Sequence, residues 1–165
     1  MATPTNLPAS FSTAQILTAA QMNDLRGAFR ILQIVQGSTA TFVSNATTTM
    51  ADTGLTATIT PQSNTNKVLV VVSQTFNKTN GNAGNAVVAQ IVRGATAVNT
   101  FAGATGYTGT AVDSIFCISA VHLDSPATTS ATTYKTQLAN YSPFAAVGAN
   151  PNTTTATITL LEVSA

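Results

Sequence analysis

The stretch LTATITP, residues 55 to 61, alternates Leu55, Ala57 and Ile59 with Thr56, Thr58 and Thr60 before Pro61 stops it. Alternation sends successive side chains to opposite faces of a strand, so one face is built for burial and a threonine face for solvent. Strand-like segments fill most of the remaining chain. "ILQIVQG" reads as a short apolar strand ended by Gly37, and "KVLVVVSQTF" as a strand covered on both sides, because its apolar run is continuous. "NAVVAQIVRGATAVNTF" reads as a hairpin turning at Arg93, Gly94, Ala95 and Thr96, and "DSIFCISAVHL", "TTYKTQLANY" and "TATITLLEV" follow. The turn clusters between them are PQSNTN, NKTNGNAGN, GATGYTG and SPFAAVGANPN. About eight strands with no further helix predict an all-β protein, an antiparallel β-sandwich of jelly-roll type, with a barrel as second choice. No fixed-period repeat points to a solenoid or propeller.

The segment LDSPATTSATTYKTQL, residues 123 to 138, resembles low-complexity linker at first sight. Its second half carries Tyr134, Thr136 and Leu138 in period two, which a mucin-like stalk would not. It is therefore a strand connection turning at SPATTSA.

Residues 1 to 30 differ in texture. ATPTNLPASFSTAQI has two prolines and isolated apolar residues at Leu7, Phe11 and Ile16, without period. "LTAAQMNDLRGAF" is a helix candidate: Thr18 caps it, Gln21 completes a capping box, and Leu17 with Met22 forms a hydrophobic staple. Met22, Leu25 and Phe29 share one face. So short a helix is not stable alone, and its stripe must dock on this domain or on another chain. The expected organisation is an anchor over residues 1–30 and a β-sandwich over 31–165. Leu7, Phe11, Ile16, Leu17, Met22, Leu25 and Phe29 are the candidate docking residues, with Arg26 and Arg30 off the stripe to pair with an acidic surface.

Charge narrows the function. Only 7% of the 165 residues are charged, against about a quarter in ordinary domains, while the hydrophobic share of 44% is normal. Disorder is thereby disfavoured. Six Lys and Arg against five Asp and Glu, scattered singly, make no basic patch for nucleic acid. No run approaches the ~20 apolar residues of a membrane helix, and the start has neither the basic residues nor the apolar core of a signal peptide. Cys117 is the lone cysteine, which excludes an internal disulfide and a cysteine zinc site and fits manufacture in a reducing cytoplasm. Sheet edges normally carry Lys, Pro or inward charges. These strands carry hardly any, which predicts an obligate oligomer.

Catalytic chemistry has little to work with. His122, Asp124 and Ser125 are neighbours along a strand end, and a hydrolytic triad needs groups converging from separate elements. The reading here is a strand-end histidine and an Asp-Ser-Pro turn. Cys117 alternates within a β run and is expected as a buried small hydrophobe. Asp113 or Asp52 would be the candidates for an ion on a subunit axis, but one histidine and five carboxylates do not predict a metal cage, and no cofactor is expected. NKTNGNAGN lacks the Lys-Ser/Thr pair of a phosphate loop and is expected as an exposed hairpin tip. The Asn-X-Ser/Thr matches at Asn45, Asn77, Asn140 and Asn152 are chance products of an Asn- and Thr-rich chain.

Taken together, "ATITPQSNTNKVLVVVS", "IVRGATAV", "LDSPATTSATTYKTQLAN" and "TITLLEV" resemble, in the same order, a β-domain of tailed-bacteriophage virion proteins, including those of cyanobacterial phages. "LTAAQMNDLRGAF" is similar to the short helix preceding β-domains in phage fibre and decoration proteins. The resemblance spans about residues 31 to 163 and implies a trimeric, non-enzymatic virion component. A cement protein on the capsid exterior, bound to the major capsid protein, competes with a fibre or tip protein bound to a host receptor. Having one arm and one domain, with no shaft or repeat, favours cement. An enzyme such as a glycan depolymerase would need paired carboxylates, and the sequence offers no close acid pair.

Overall fold

The computed structural model describes Ile16 and residues 31–164. Among these residues ten strands run in chain order: β1 (Ile31–Thr39), β2 (Val43–Asn45), β3 (Ala51–Ile59), β4 (Lys67–Lys78), β5 (Val87–Arg93), β6 (Thr96–Thr105), β7 (Ser114–Asp124), β8 (Thr132–Asn140), β9 (Val147–Ala149) and β10 (Ala156–Val163). They form two antiparallel sheets packed face to face. One has the order β1-β10-β4-β7, with the short β9 and β2 continuing beside the far end of β4. The other has the order β3-β8-β5-β6. Counting only the eight long strands, the orders are 1-8-3-6 and 2-7-4-5, the interleaved Greek keys of a jelly roll. The sandwich expected from the alternation is the fold observed.

The threonine strand behaves as its pattern requires. Leu55, Ala57 and Ile59 are buried, and Thr56 and Thr58 face outward. β3 begins earlier than LTATITP, at Ala51, with a register break between Asp52 and Thr56 at Gly54, whose φ is +81°. The hairpin turn is also where the sequence places it, with Gly94 at φ +58° between β5 and β6.

Three local expectations change. β1 does not end at Gly37 but runs through it to Thr39. A Cβ at Gly37 would collide with the backbone oxygen of Thr56, so the glycine serves the close approach of β1 to β3 and not a turn. NKTNGNAGN is no hairpin tip, because β4 and β5 lie in different sheets. Its Asn85 is buried and donates to the carbonyls of Thr79 and Ala146. The short β2 and β9 have no signal of their own in the sequence. Asn150, at φ +59°, diverts the chain between β9 and β10, so that β9 and then β10 lie along β4, and β2 pairs with β9.

The interior has two apolar clusters. Leu55, Ile59, Val70, Ile91, Tyr134 and Leu160 lie in one, and Phe76, Val87, Leu138 and Val147 in the other. A polar layer passes between them. Thr53 and Thr136 share a hydroxyl–hydroxyl hydrogen bond of 2.5 Å, Thr136 donates to Gln74 Oε1 at 2.8 Å, and Gln74 Nε2 donates to Asn150 Oδ1 at 3.1 Å. Asn150 Nδ2 then donates to the Thr41 carbonyl. Gln74 lies between Val72 and Phe76 on β4, and Thr136 between Tyr134 and Leu138 on β8, which sets the layer. Each of these buried side chains is hydrogen-bonded, which spares the desolvation cost of an unpaired polar group, about 1–3 kcal/mol each.

Candidate functional site

The two sheets present opposite kinds of outer surface. On β3-β8-β5-β6 the outward side chains are largely polar and mutually bonded, with Val88 of β5 half-buried among them. Thr58 and Thr133 share a hydroxyl hydrogen bond of 2.7 Å, Gln90 donates to Gln137, and Asp52 accepts from Lys135 and Gln137 at 2.7 Å each. The Asp52 carboxyl is held below the usual aspartate value by its hydrogen bonds from Lys135 and Gln137. Such a face is suited to water.

The outer face of β1-β10-β4-β7 is apolar at one end. Strand register aligns Ile34 with Leu161, Leu161 with Leu69, and Leu69 with Leu123, a single row across all four strands. Ile34 is 62% and Leu123 56% exposed, and Leu161 and Leu69 are half-buried. The next row pairs Val71 with Val121, which is 65% exposed. Among the described residues Lys67 is the only charged side chain at this end of the face, and it donates to Ser125 Oγ at 2.6 Å. β7 pairs with β4 on one side only, so the apolar face ends at an eleven-residue edge strand whose first ten residues carry no Lys, Arg, Asp, Glu or Pro. Exposed apolar rows and uncharged edges are features that a soluble monomer avoids.

A shallow cleft of about 430 Å³ opens at the other end of this face. Phe42, Asn77, Asp113, Ile115 and Asn152 line it, with the buried Lys78 beneath. Lys78 Nζ donates to Thr108 Oγ1 at 2.6 Å and to the Thr110 carbonyl at 3.0 Å, which ties the β6–β7 connection to β4. Asn77 Oδ1 is buried without a hydrogen-bond partner, near Phe42 where both approach Gly148.

His122, Asp124 and Ser125 do not converge. Asn99 Nδ2 lies 3.2 Å from His122 Nδ1. Asp124 Oδ2 accepts from Arg93 and from the Tyr134 hydroxyl, each at 2.6 Å, and Ser125 Oγ is occupied by Lys67. Burial, followed by the hydrogen bond to Asp124, pushes the Tyr134 phenol well above its ordinary value. The group is an inter-sheet clamp. No set of three or more His, Cys, Asp or Glu among the described residues is arranged to hold a metal ion. Asp113 instead accepts from the backbone N–H of Asn80 at 2.8 Å.

Cys117 corrects the sequence reading. It is exposed, because β7 turns Ile115, Cys117, Ser119, Val121 and Leu123 outward and Phe116, Ile118 and Ala120 inward. Both sets are largely apolar, so alternation alone does not tell the faces apart. The same ambiguity hid the apolar row. "KVLVVVSQTF" promised two covered faces, whereas the described residues cover one, leaving Leu69 and Val71 only half-buried. Of the predicted docking residues, Ile16 is exposed. Leu7, Phe11, Leu17, Met22, Leu25, Arg26, Phe29 and Arg30 lie outside the described residues, as does the predicted helix. Among the Asn-X-Ser/Thr positions, Asn45 and Asn140 are buried and hydrogen-bonded through their side chains.

Comparison with known proteins adds likenesses of fold. No family model matches the chain. No curated protein matches it in sequence. The VP2 subviral particle of infectious bursal disease virus is similar over 82% of this chain, at 16% identity and a TM-score of 0.45. The structure of the Gx strain of the same virus is similar over 79%, at 14% identity and a TM-score of 0.41. The chain spans 38% of the length of each of those chains.

Proposed function

We propose that this chain is a non-enzymatic structural protein of a virion, a capsid cement or decoration protein. It sits on the exterior of the head as a homotrimer and reinforces contacts between major capsid subunits through residues 1–30, after assembly in the host cytoplasm. The observation that carries this reading is the contrast between the two outer sheet faces, one polar and self-satisfied, the other apolar and ended by an uncharged edge. An apolar face of this kind calls for a protein neighbour, and the resemblance of the strand segments to phage virion β-domains supplies the setting. Each described carboxylate is engaged in a separate structural contact, which supports an assembly role.

Many weak contacts repeated around a shell reinforce each other through effective concentration, so modest individual sites give durable attachment. Removing residues 1–30 leaves every described strand in place. The truncated protein is expected to fold and to lose the particle; full decoration by it would refute the reading. Copy number is the second measurement, with hundreds per particle for a cement protein.

The cleft favours one other reading, a fibre or tip protein binding a host receptor. Phe42 offers an aromatic surface beside the amides of Asn77 and Asn152 and the carboxylate of Asp113, a set suited to a sugar. A few dozen copies per particle, with glycan binding abolished by Phe42→Ala, would select it.

A further inference from the structure

The four-strand row Ile34, Leu161, Leu69 and Leu123 lies next to the point where residues 1–30 join the sandwich. β1 begins at Ile31, which is in register with Val163 and three residues before Ile34. The segment just outside the described strands is LTAAQMNDLRGAF, with Met22, Leu25 and Phe29 spaced for one helical face. Thirteen helical residues extend about 20 Å. The row, three strand spacings wide, measures about 14 Å. The helix is thus long enough to cross the whole row, and stripe and row are both apolar.

The connection decides whose row the stripe covers. Packed helix–strand units use loops of about two to six residues to reverse the chain. Here Arg30 alone separates Phe29 from Ile31. A helix so joined would continue away from β1, which is an edge strand, since one residue is too short a link to fold it back over its own sheet. On that geometry its own row would stay open to the helix of another copy.

We infer that residues 17–29 of one copy dock on the Ile34–Leu161–Leu69–Leu123 row of a second copy. The contact is heterologous, stripe to sheet face, so successive copies close into a ring when the rotation allows. This deepens the decoration reading and rests on it for the setting, because it names a second copy of the chain, not the capsid, as the partner of the helix. The first sixteen residues and the β3-β8-β5-β6 face then remain for the particle.

The test uses the full-length protein in a Cys117→Ser background. Leu25→Cys and Leu161→Cys are introduced together, the protein is oxidised, and it is resolved on a non-reducing gel. A ladder of linked chains that collapses on reduction is the expected result. Disulfides confined within single chains would overturn the exchange, and so would thiols that stay free. Independently, Leu123→Glu is expected to lower the mass measured by light scattering to that of one chain while the β-sheet circular dichroism persists. An unchanged mass would count against the inference. Particle binding is assayed separately. Intramolecular disulfides in a protein that still coats particles defeat the exchange alone, whereas exchanged helices in a protein that never coats particles defeat the decoration reading alone.

Discussion

The Tyr134 hydroxyl on β8 donates to Asp124 Oδ2 on β7 across a distance of 2.6 Å, joining the two sheets at the edge of the larger apolar cluster. Arg93 on β5 donates to the same oxygen at 2.6 Å and to the Ser125 carbonyl at 3.0 Å. The strand end and the turn of LDSPATTSATTYKTQL are therefore secured from both directions.

Breaking this clamp is costly because the survivors remain enclosed. Asp124→Ala leaves the fully buried Tyr134 hydroxyl without its acceptor and Arg93 without its carboxylate. We expect a loss of about 3 kcal/mol by urea denaturation. Tyr134→Phe removes one donor and keeps the ring, so its loss is smaller, about 1–2 kcal/mol.

The same pair sets a response to alkali. Burial and the hydrogen bond to Asp124 raise the folded Tyr134 above its ordinary value of 10.0, so the folded state retains a proton that the unfolded state releases. This contribution is complete below pH 10 and is lost as pH rises beyond it. Thermal melts from pH 9 upward are expected to fall less steeply for Tyr134→Phe than for the parent.

Glu162 responds in the opposite direction. Burial pushes its carboxyl up, but hydrogen bonds from Gln33 and Asn66 and from the Gln62 and Ser63 backbone together hold it below 4.5. Its contribution is therefore complete above pH 4.5 and lost as pH falls through the lower folded value. Glu162→Gln turns an amide donor toward existing donors, with an expected cost of about 2 kcal/mol at neutral pH. The variant's melting temperature is expected to vary less between pH 6 and pH 3.

Gly37→Ala tests the approach of the two sheets. The added methyl meets the Thr56 carbonyl, a backbone atom that cannot rotate aside. Moving β1 away from β3 is expected to cost about 2–3 kcal/mol, within the range for overpacking a close contact. A neutral result in chemical denaturation would show that β1 shifts freely.

The buried alternation of β3 and the turn at Gly94 were legible because each is local: a period of two marks a covered face, and a glycine accepts φ +58°. The separate partners of His122, Asp124 and Ser125 were not legible, because Asn99, Arg93 and Lys67 come from other strands. Nor was the polar layer. Gln74 and Thr136 are 62 residues apart and meet only because β4 and β8 face each other across the sandwich.

What the chain determined by itself was a low-charge β-sandwich, through alternation, turn residues and the scarcity of ionised side chains. Tertiary structure alone decided which of two similar apolar faces is covered. β7 offers Phe116 and Ile118 to one side and Val121 and Leu123 to the other, and hydropathy does not rank them. Pairing with β4 fixed the parity, turned Cys117 outward, and aligned Leu123 with Leu69, Leu161 and Ile34. The physical reason is that strand register relates residues distant in sequence, and a shift of one residue would exchange the two faces.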